Sequence, residues 1–294
     1  MSETRPTALI IGASGQVGAH CLRSFADRGY RVIGTYASKP RDGLVRLDLS
    51  DPASVEEAIT SLRPDVCVLS GAMTNVDRCE DEPQRALAIN AEAPGRAADA
   101  CRRVGAKLLY LSTEYVFDGT AGPYAEADAP NPINVYGASK LEGERRVLAA
   151  SDRHLVARTT VVYSHDPGGM NFAMQLWRRL RAGERMRVPT DQISTPTYAP
   201  ELAAALARLA GEERGGIAHT VGPDLLARFD FAVRAAELFG LPASLLEPVD
   251  TSALGQRAAR PLRAGLRLGR KLQDGFSDVP GALARVAARL LGEG

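Results

Sequence analysis

Short apolar runs alternate with amphipathic stretches over the first half of the chain. Thr7 to Ile11 is a continuous apolar run closed by Gly12, the pattern of a strand buried on both faces. Gly12-Ala13-Ser14-Gly15-Gln16-Val17-Gly18 leads into a stretch with Cys21, Leu22 and Phe25 at helical spacing, which Gly29 ends as a C-terminal cap. Arg31 to Tyr36 predicts the next strand, so strand, glycine turn, helix and strand form a βαβ unit. Further strands are expected at Leu44 to Leu49, Asp65 to Leu69, Lys107 to Leu111 and His154 to Val162. Helices are expected from Asp51-Pro52 to about Leu62, from roughly Pro83 to Val104 with a break or bend near Pro94, and around Tyr136.

This order predicts an α/β fold, a Rossmann-type doubly wound parallel sheet with helices on both faces. Ligands of such sheets bind beyond the carboxyl ends of the strands. From about Ser164 the pattern loosens into a helix near Asn171 to Arg181, the segment Asp191 to Thr197, a helix over Pro200 to Leu209, a strand at Ile217 to Val221 and a helix from Phe229 to Phe239. Residues 1–163 are therefore expected to form a dinucleotide-binding core with the catalytic residues. Residues 164–294 are expected to form mainly a smaller C-terminal α/β substrate lobe, packed on the sheet edge, with some segments returning to the core.

Composition narrows the partners. With 36 Lys+Arg against 35 Asp+Glu, charge gives no reason to expect nucleic acid or an anionic membrane surface. Cys21, Cys67, Cys79 and Cys101 form no CxxC pair and no zinc-like cluster, so free buried thiols and no metal site are expected. The N-terminus lacks a signal-peptide pattern and no apolar run approaches a membrane span. A soluble cytoplasmic protein is expected, with a homodimer left open.

Gly12, Gly15 and Gly18 follow a strand and open a helix, the context in which backbone N–H groups receive a pyrophosphate. Ser14, Gln16 and Val17 belong to the same cofactor-facing turn. The GxxGxxG spacing is that of extended short-chain dehydrogenase/reductases. Coenzyme choice is set at the end of the second strand, where an acid suits a ribose 2′-hydroxyl and a cation a 2′-phosphate. Thr35-Tyr36-Ala37-Ser38-Lys39-Pro40-Arg41 has no acid and two cations, which predicts NADP(H) over NAD(H). Asp48, ending the third strand beside Leu49, stands where such folds hold the adenine.

Tyr136 and Lys140 share a helix face at i and i+4, downstream of the hydroxyls Ser112 and Thr113. A free phenol has a pKa of about 10, and a neighbouring ammonium is expected to pull it toward neutrality so that it can serve a developing alkoxide. The same ammonium can hold the nicotinamide ribose, while Thr113 or Ser112 orients the carbonyl.

Several motifs resemble dTDP-4-dehydrorhamnose reductases: Gly-Gln-Val-Gly (15–18), Arg-Pro-Asp-Val (63–66), Thr-Asn-Val-Asp (74–77), Ser-Thr-Glu-Tyr-Val-Phe-Asp-Gly (112–119), Pro-Tyr-x-Glu (123–126), Asn-Pro-Ile-Asn-Val-Tyr-Gly-Ala-Ser-Lys-Leu-Glu-Gly-Glu (131–144), Asp-Gln-Ile-Ser-Thr-Pro-Thr-Tyr (191–198) and Arg-Pro (260–261). The resemblance covers nearly the whole chain. It implies NADPH-dependent reduction of a 4-keto-6-deoxy sugar on a nucleoside diphosphate, with Thr113, Tyr136 and Lys140 as the catalytic triad. It further implies that Gly71, Ala72, Met73 and Thr74 pass the nicotinamide side of the cofactor and that Asn90 supports the site through the long helix. Thr74, Thr113, Tyr115, Val161, Asn171 and Gln192 fall on its substrate side.

Two positions depart from the family pattern. Val161 stands where a sugar-stacking tryptophan is frequent, and His20 where a glutamate joins a magnesium-bridged dimer. The sugar is thereby left open. Related dehydratases follow the catalytic Thr with an Asp-Glu pair, whereas here Glu114 is followed by Tyr115, so elimination is disfavoured. Reduction of another ketone, sugar-nucleotide epimerisation and a non-catalytic NADP-binding role like that of the methionine adenosyltransferase β-subunit are the alternatives.

Overall fold

The computed structural model describes residues 5–166 and 169–292. In chain order, the first half contains β1 (Thr7–Ile11), α1 (Gln16–Ala26), β2 (Arg31–Tyr36), β3 (Leu44–Arg46), α2 (Pro52–Leu62), β4 (Val66–Leu69), α3 (Val76–Asp81), α4 (Pro83–Leu87), a π-helical turn (Ala88–Glu92), α5 (Ala93–Val104), β5 (Lys107–Thr113), α6 (Val135–Ala150) and β6 (Leu155–Thr159). The second half adds β7 (Val162–Tyr163), α7 (Phe172–Arg181), β8 (Met186–Pro189), β9 (Ile193–Ser194), β10 (Thr197–Tyr198), α8 (Ala199–Leu209), β11 (Gly216–His219), β12 (Leu226–Ala227), α9 (Arg228–Leu238), β13 (Leu246–Val249) and α10 (Val279–Leu291).

A seven-stranded, all-parallel sheet has the order β11-β6-β5-β4-β1-β2-β3. Side chains alternate across it, as the two-residue strand period requires. Ala8 and Ile10 pack with Cys21 and Phe25 of α1 and Leu202 and Leu206 of α8. Leu9 and Ile11 pack on the other face with Val55 and Ile59 of α2, Ala97 and Cys101 of α5 and Val147 of α6. Helices thus cover both faces, which explains why the strands read as unbroken apolar runs. A separate apolar core joins α7, α9 and α10 to β8 and β13, while α8 and β11 lie on the main sheet.

Three local expectations need correction. The strand expected over 154–162 breaks after Thr159, and β7 pairs instead with β10; Val161, at the break, has a φ of 39°, a costly left-handed conformation for a β-branched residue. The helix expected over 83–104 is interrupted by the π turn at 88–92, which leaves Pro94 in the first turn of α5, where its missing N–H costs no bond. The strand expected over 44–49 ends at Arg46, so Asp48 lies in the turn before α2. Among the described residues no helix is long and apolar enough to cross a membrane.

Candidate active site

A cavity of about 890 Å³ opens at the carboxyl ends of the central strands. Its floor is the glycine turn, with Gly12, Ser14, Gly15, Gln16 and Val17. One wall carries Ser38, Lys39, Arg46, Asp48 and Leu49, and another Gly71, Ala72, Met73 and Thr74. Ser112, Tyr136, Lys140 and Thr159 close the far end.

The glycine turn fits a dinucleotide. A Cβ on Gly12 would lie 2.7 Å from Gly71 N, and its φ of 88° disfavours any side chain. A Cβ on Gly18 would lie 2.3 Å from the Gly12 carbonyl oxygen, so only glycine lets α1 start this close to β1. Gly15 caps α1 without a side-chain bond and the first turn holds no acid, which leaves N–H groups and the positive helix end facing the cavity. Asp48 accepts from both the N–H and the hydroxyl of Ser50, bonds that hold its carboxyl below the usual range.

Thr35, Tyr36 and Asn90 do not line the cavity, contrary to their placement among cofactor-binding residues. Thr35 is buried, and its hydroxyl accepts from Gly12 N at 3.2 Å, holding the turn to β2. Asn90 is buried in the π turn; its Oδ1 accepts from Met73 N at 2.9 Å, and its Nδ2 donates to Met73 O and Ser139 Oγ. It ties the 71–74 loop to α6. Arg46 was missed from sequence: it pairs in register with Tyr36 across β2 and β3, which sets it on the cavity wall with Lys39, while Arg41 does not line the cavity.

At the far end, Asn134 caps α6 by accepting from Gly137 N at 2.8 Å. This fixes the first two turns, so Tyr136 and Lys140 present the same face. Lys140 Nζ donates to the Leu111 carbonyl at 2.6 Å and sits 4.0 Å from the centre of the Tyr110 ring. Burial pulls the Lys140 pKa down to about 7, with Glu144 opposing. Burial holds the Tyr136 phenol above its ordinary range, with the Thr113 hydroxyl opposing. The expected lowering of the phenol by the ammonium is therefore corrected: desolvation governs both groups, while Lys140 keeps donors for the cavity beside its bond to Leu111.

Ser112 is removed from the choice of orienting hydroxyl, because it donates to Glu144 Oε1 at 2.5 Å. Glu144 also receives Arg158 Nε at 3.0 Å and Nη2 at 2.7 Å, with both side chains buried. This bidentate pair pins α6 to β5 and β6 directly behind Lys140. Thr113 stays beside Tyr136, its oxygen accepting from Tyr115 N, and the Tyr115 ring stands edge-on to Tyr136 at 5.6 Å.

Of the expected substrate-side residues, only Thr74 lines the cavity. Thr113 and Tyr115 flank its Ser112 edge, and Val161 lies between the ends of β6 and β7, two residues past the cavity residue Thr159. Asn171 is spent as the α7 cap, accepting from Met174 N and donating to Ser164 O. Gln192 Nε2 donates to Thr251 Oγ1 at 3.1 Å, and its carbonyl accepts from Arg228 N. His20 is half-buried beside His165, with ring centres 5.9 Å apart, and burial lowers its pKa.

The RmlD substrate binding domain family matches residues 7–288. The chain belongs to this family. Among RmlD-type relatives, the dTDP-4-dehydrorhamnose reductase of Streptomyces griseus is 37% identical over 87% of this chain and 84% of its own length. That of Escherichia coli strain K12 is 35% identical over 92% of this chain and 91% of its own. The Bacillus anthracis dTDP-4-dehydrorhamnose reductase, solved in complex with NADP, superposes with a TM-score of 0.86 at 30% identity, covering 99% of this chain and 100% of that one. The RmlD match spans both the sheet and the C-terminal core, so the two act in one unit of homology.

Proposed function

We propose that the chain is an NADPH-dependent reductase of a nucleotide-linked 4-keto-6-deoxy sugar. The observation that carries this reading is the placement of Tyr136, backed by Thr113 and Lys140, at the far end of a cavity whose floor is a glycine turn shaped for a pyrophosphate. The named relatives, including one solved with NADP, support the coenzyme and the substrate class. Bound NADPH supplies the hydride. Lys39 and Arg46 would hold the 2′-phosphate, and Asp48 would accept from the adenine amino group.

Tyr136 holds the proton at Oη, because its raised pKa keeps the phenol neutral near pH 7. Thr113 Oγ1 orients the carbonyl oxygen toward Tyr136, and the phenol passes its proton to that oxygen as hydride reaches the carbon. The Lys140 ammonium, which donates to the Leu111 carbonyl, would also donate to the ribose hydroxyls and help return a proton to Tyr136. Four free, buried thiols agree with a reducing compartment, and we place the protein in the cytoplasm.

A turnover panel of TDP-, UDP- and GDP-linked 4-keto-6-deoxy sugars with NADPH, with products identified by NMR, tests the reading. Reduction at C4 of at least one sugar is expected. NADPH oxidation by simple ketones alone would overturn the substrate class.

A further inference from the structure

Arg78 and Arg85 line the cavity beside Asn75 and Ile89, on a different segment from Lys39 and Arg46. α3 gives way to α4 at Glu82, four residues after Arg78 and three before Arg85, so both arginines are within helical reach of one carboxylate. Glu82 Oε1 accepts from Arg78 Nε at 2.6 Å, and Oε2 accepts from Arg85 Nη1 at 3.0 Å. The two arginine side chains are about half exposed, and ion pairs in such settings contribute little to stability. Each pair also uses one donor of a guanidinium that has five. The other donors border a cavity whose described lining holds Lys39, Arg46, Arg78, Arg85 and Lys140 but no acid besides Asp48.

The two arginines stand at different points along the cavity. Asn75, which follows Thr74, caps α3 by accepting from Arg78 N at 3.0 Å, and this sets Arg78 against the 71–74 loop. That loop touches the glycine turn, where a Cβ on Gly12 would meet Gly71 N. Arg85 belongs to the Asp48 end. The Ser50 bonds hold the Asp48 carboxyl low, and the charges of Arg46 and Arg85 add to them. Leu49 and Ile89 supply apolar surface to the cavity lining. A guanidinium plane can cover an aromatic ring as well as pair with a phosphate, whereas phosphate pairing alone needs only a point charge.

We propose that Arg78 and Arg85, anchored by Glu82, form an outer clamp on the adenosine diphosphate half of the coenzyme, with Arg85 covering the adenine ring beside Asp48 and Arg78 reaching the pyrophosphate above the glycine turn. The proposal rests on the reading of NADPH as coenzyme and is independent of the sugar. The start of α1 meets one side of the pyrophosphate, and Arg78 neutralises the other. The 2′-phosphate stays with Lys39 and Arg46, so the clamp serves NADPH and NADH alike.

Isothermal titration of the wild type, Arg78→Ala, Arg78→Lys, Arg85→Ala and Arg85→Lys with NADPH, NADH and ADP tests it. Each alanine variant should weaken all three ligands by a similar factor, about fivefold to tenfold, with the melting temperature of the free protein unchanged. Arg78→Lys should recover most of the loss, because a phosphate accepts a point charge, and Arg85→Lys little, because an ammonium has no plane to lay on the ring. Raising salt from about 0.05 M to about 0.5 M should shrink the Arg78→Ala loss and leave that of Arg85→Ala in place. Losses confined to NADPH would assign these arginines to the 2′-phosphate and overturn the proposal, as would unchanged ADP affinity in either alanine variant. Full rescue by lysine at both positions would overturn the placement of Arg85 on the adenine. A wild type that binds neither coenzyme overturns the functional reading itself.

Discussion

Removing Glu144 should be among the most damaging single changes away from the reacting atoms. Its carboxylate receives Arg158 Nε at 3.0 Å, Arg158 Nη2 at 2.7 Å and Ser112 Oγ at 2.5 Å. Glu144→Ala leaves a guanidinium that is 1% exposed, with Nη1 already unpartnered, stripped of the carboxylate it pairs with. Breaking a buried pair from one side costs about 3–5 kcal/mol. Against a total of roughly 5–15 kcal/mol, that is a fall in Tm of about 10 °C for a domain of this size. Urea unfolding of Glu144→Leu, Arg158→Met and the double variant Glu144→Leu/Arg158→Met supplies the cycle, with Glu144→Ala measured beside it. The double variant should regain most of the loss, because neither charge is then stranded. Glu144 is also what opposes the burial of Lys140, so Glu144→Ala should push that pKa further below 7 and move the alkaline limb of the turnover profile down. Losses in the two single variants that add in the double variant would refute the reasoning.

Three other outcomes follow from the same geometry. Lys39→Ala and Arg46→Ala should each weaken NADPH binding by about tenfold or more, as expected for a lost charge-assisted phosphate contact, and leave NADH nearly untouched; isothermal titration with both coenzymes checks this. His219 is buried, with Nδ1 against the Arg267 carbonyl, and burial pulls its pKa from 6.5 down to about 4. The unfolded chain therefore takes up the proton first as pH falls, and about 3 kcal/mol of stability should be lost between pH 6.5 and 4. His219→Asn should flatten that slope in urea titrations at pH 7 and 4.5, and parallel slopes would contradict it. Gly18→Ala, which brings a Cβ to 2.3 Å from the Gly12 carbonyl oxygen, should displace the start of α1 and raise the NADPH dissociation constant more than the NADP-independent stability loss explains.

The parallel sheet was legible because β1, β4 and β5 are buried on both faces, which leaves a continuous apolar signature. The cavity floor was legible because Gly12 and Gly18 have local steric reasons to be glycine. Helical spacing alone placed Tyr136 with Lys140. What the sequence concealed depends on contacts between distant segments. Arg46 reaches the coenzyme wall only through its register with Tyr36. Ser112 loses its catalytic candidacy to Glu144, a residue 32 positions away. Asn171 reads as a polar substrate residue and is consumed in capping α7. The protonation states also escaped, since charge proximity predicts a lowered phenol whereas burial raises it.

The central claim is that Tyr136 delivers the proton in NADPH-dependent reduction of a keto-sugar nucleotide. Single-turnover NADPH oxidation in wild type and Tyr136→Phe, with coenzyme binding followed by fluorescence in the same samples, tests it most directly. The phenol lies at the closed end of the cavity, away from the glycine turn, so coenzyme affinity should hold within about threefold while turnover falls by about 10²–10⁴. Equal turnover in the two proteins at equal coenzyme occupancy would contradict the account.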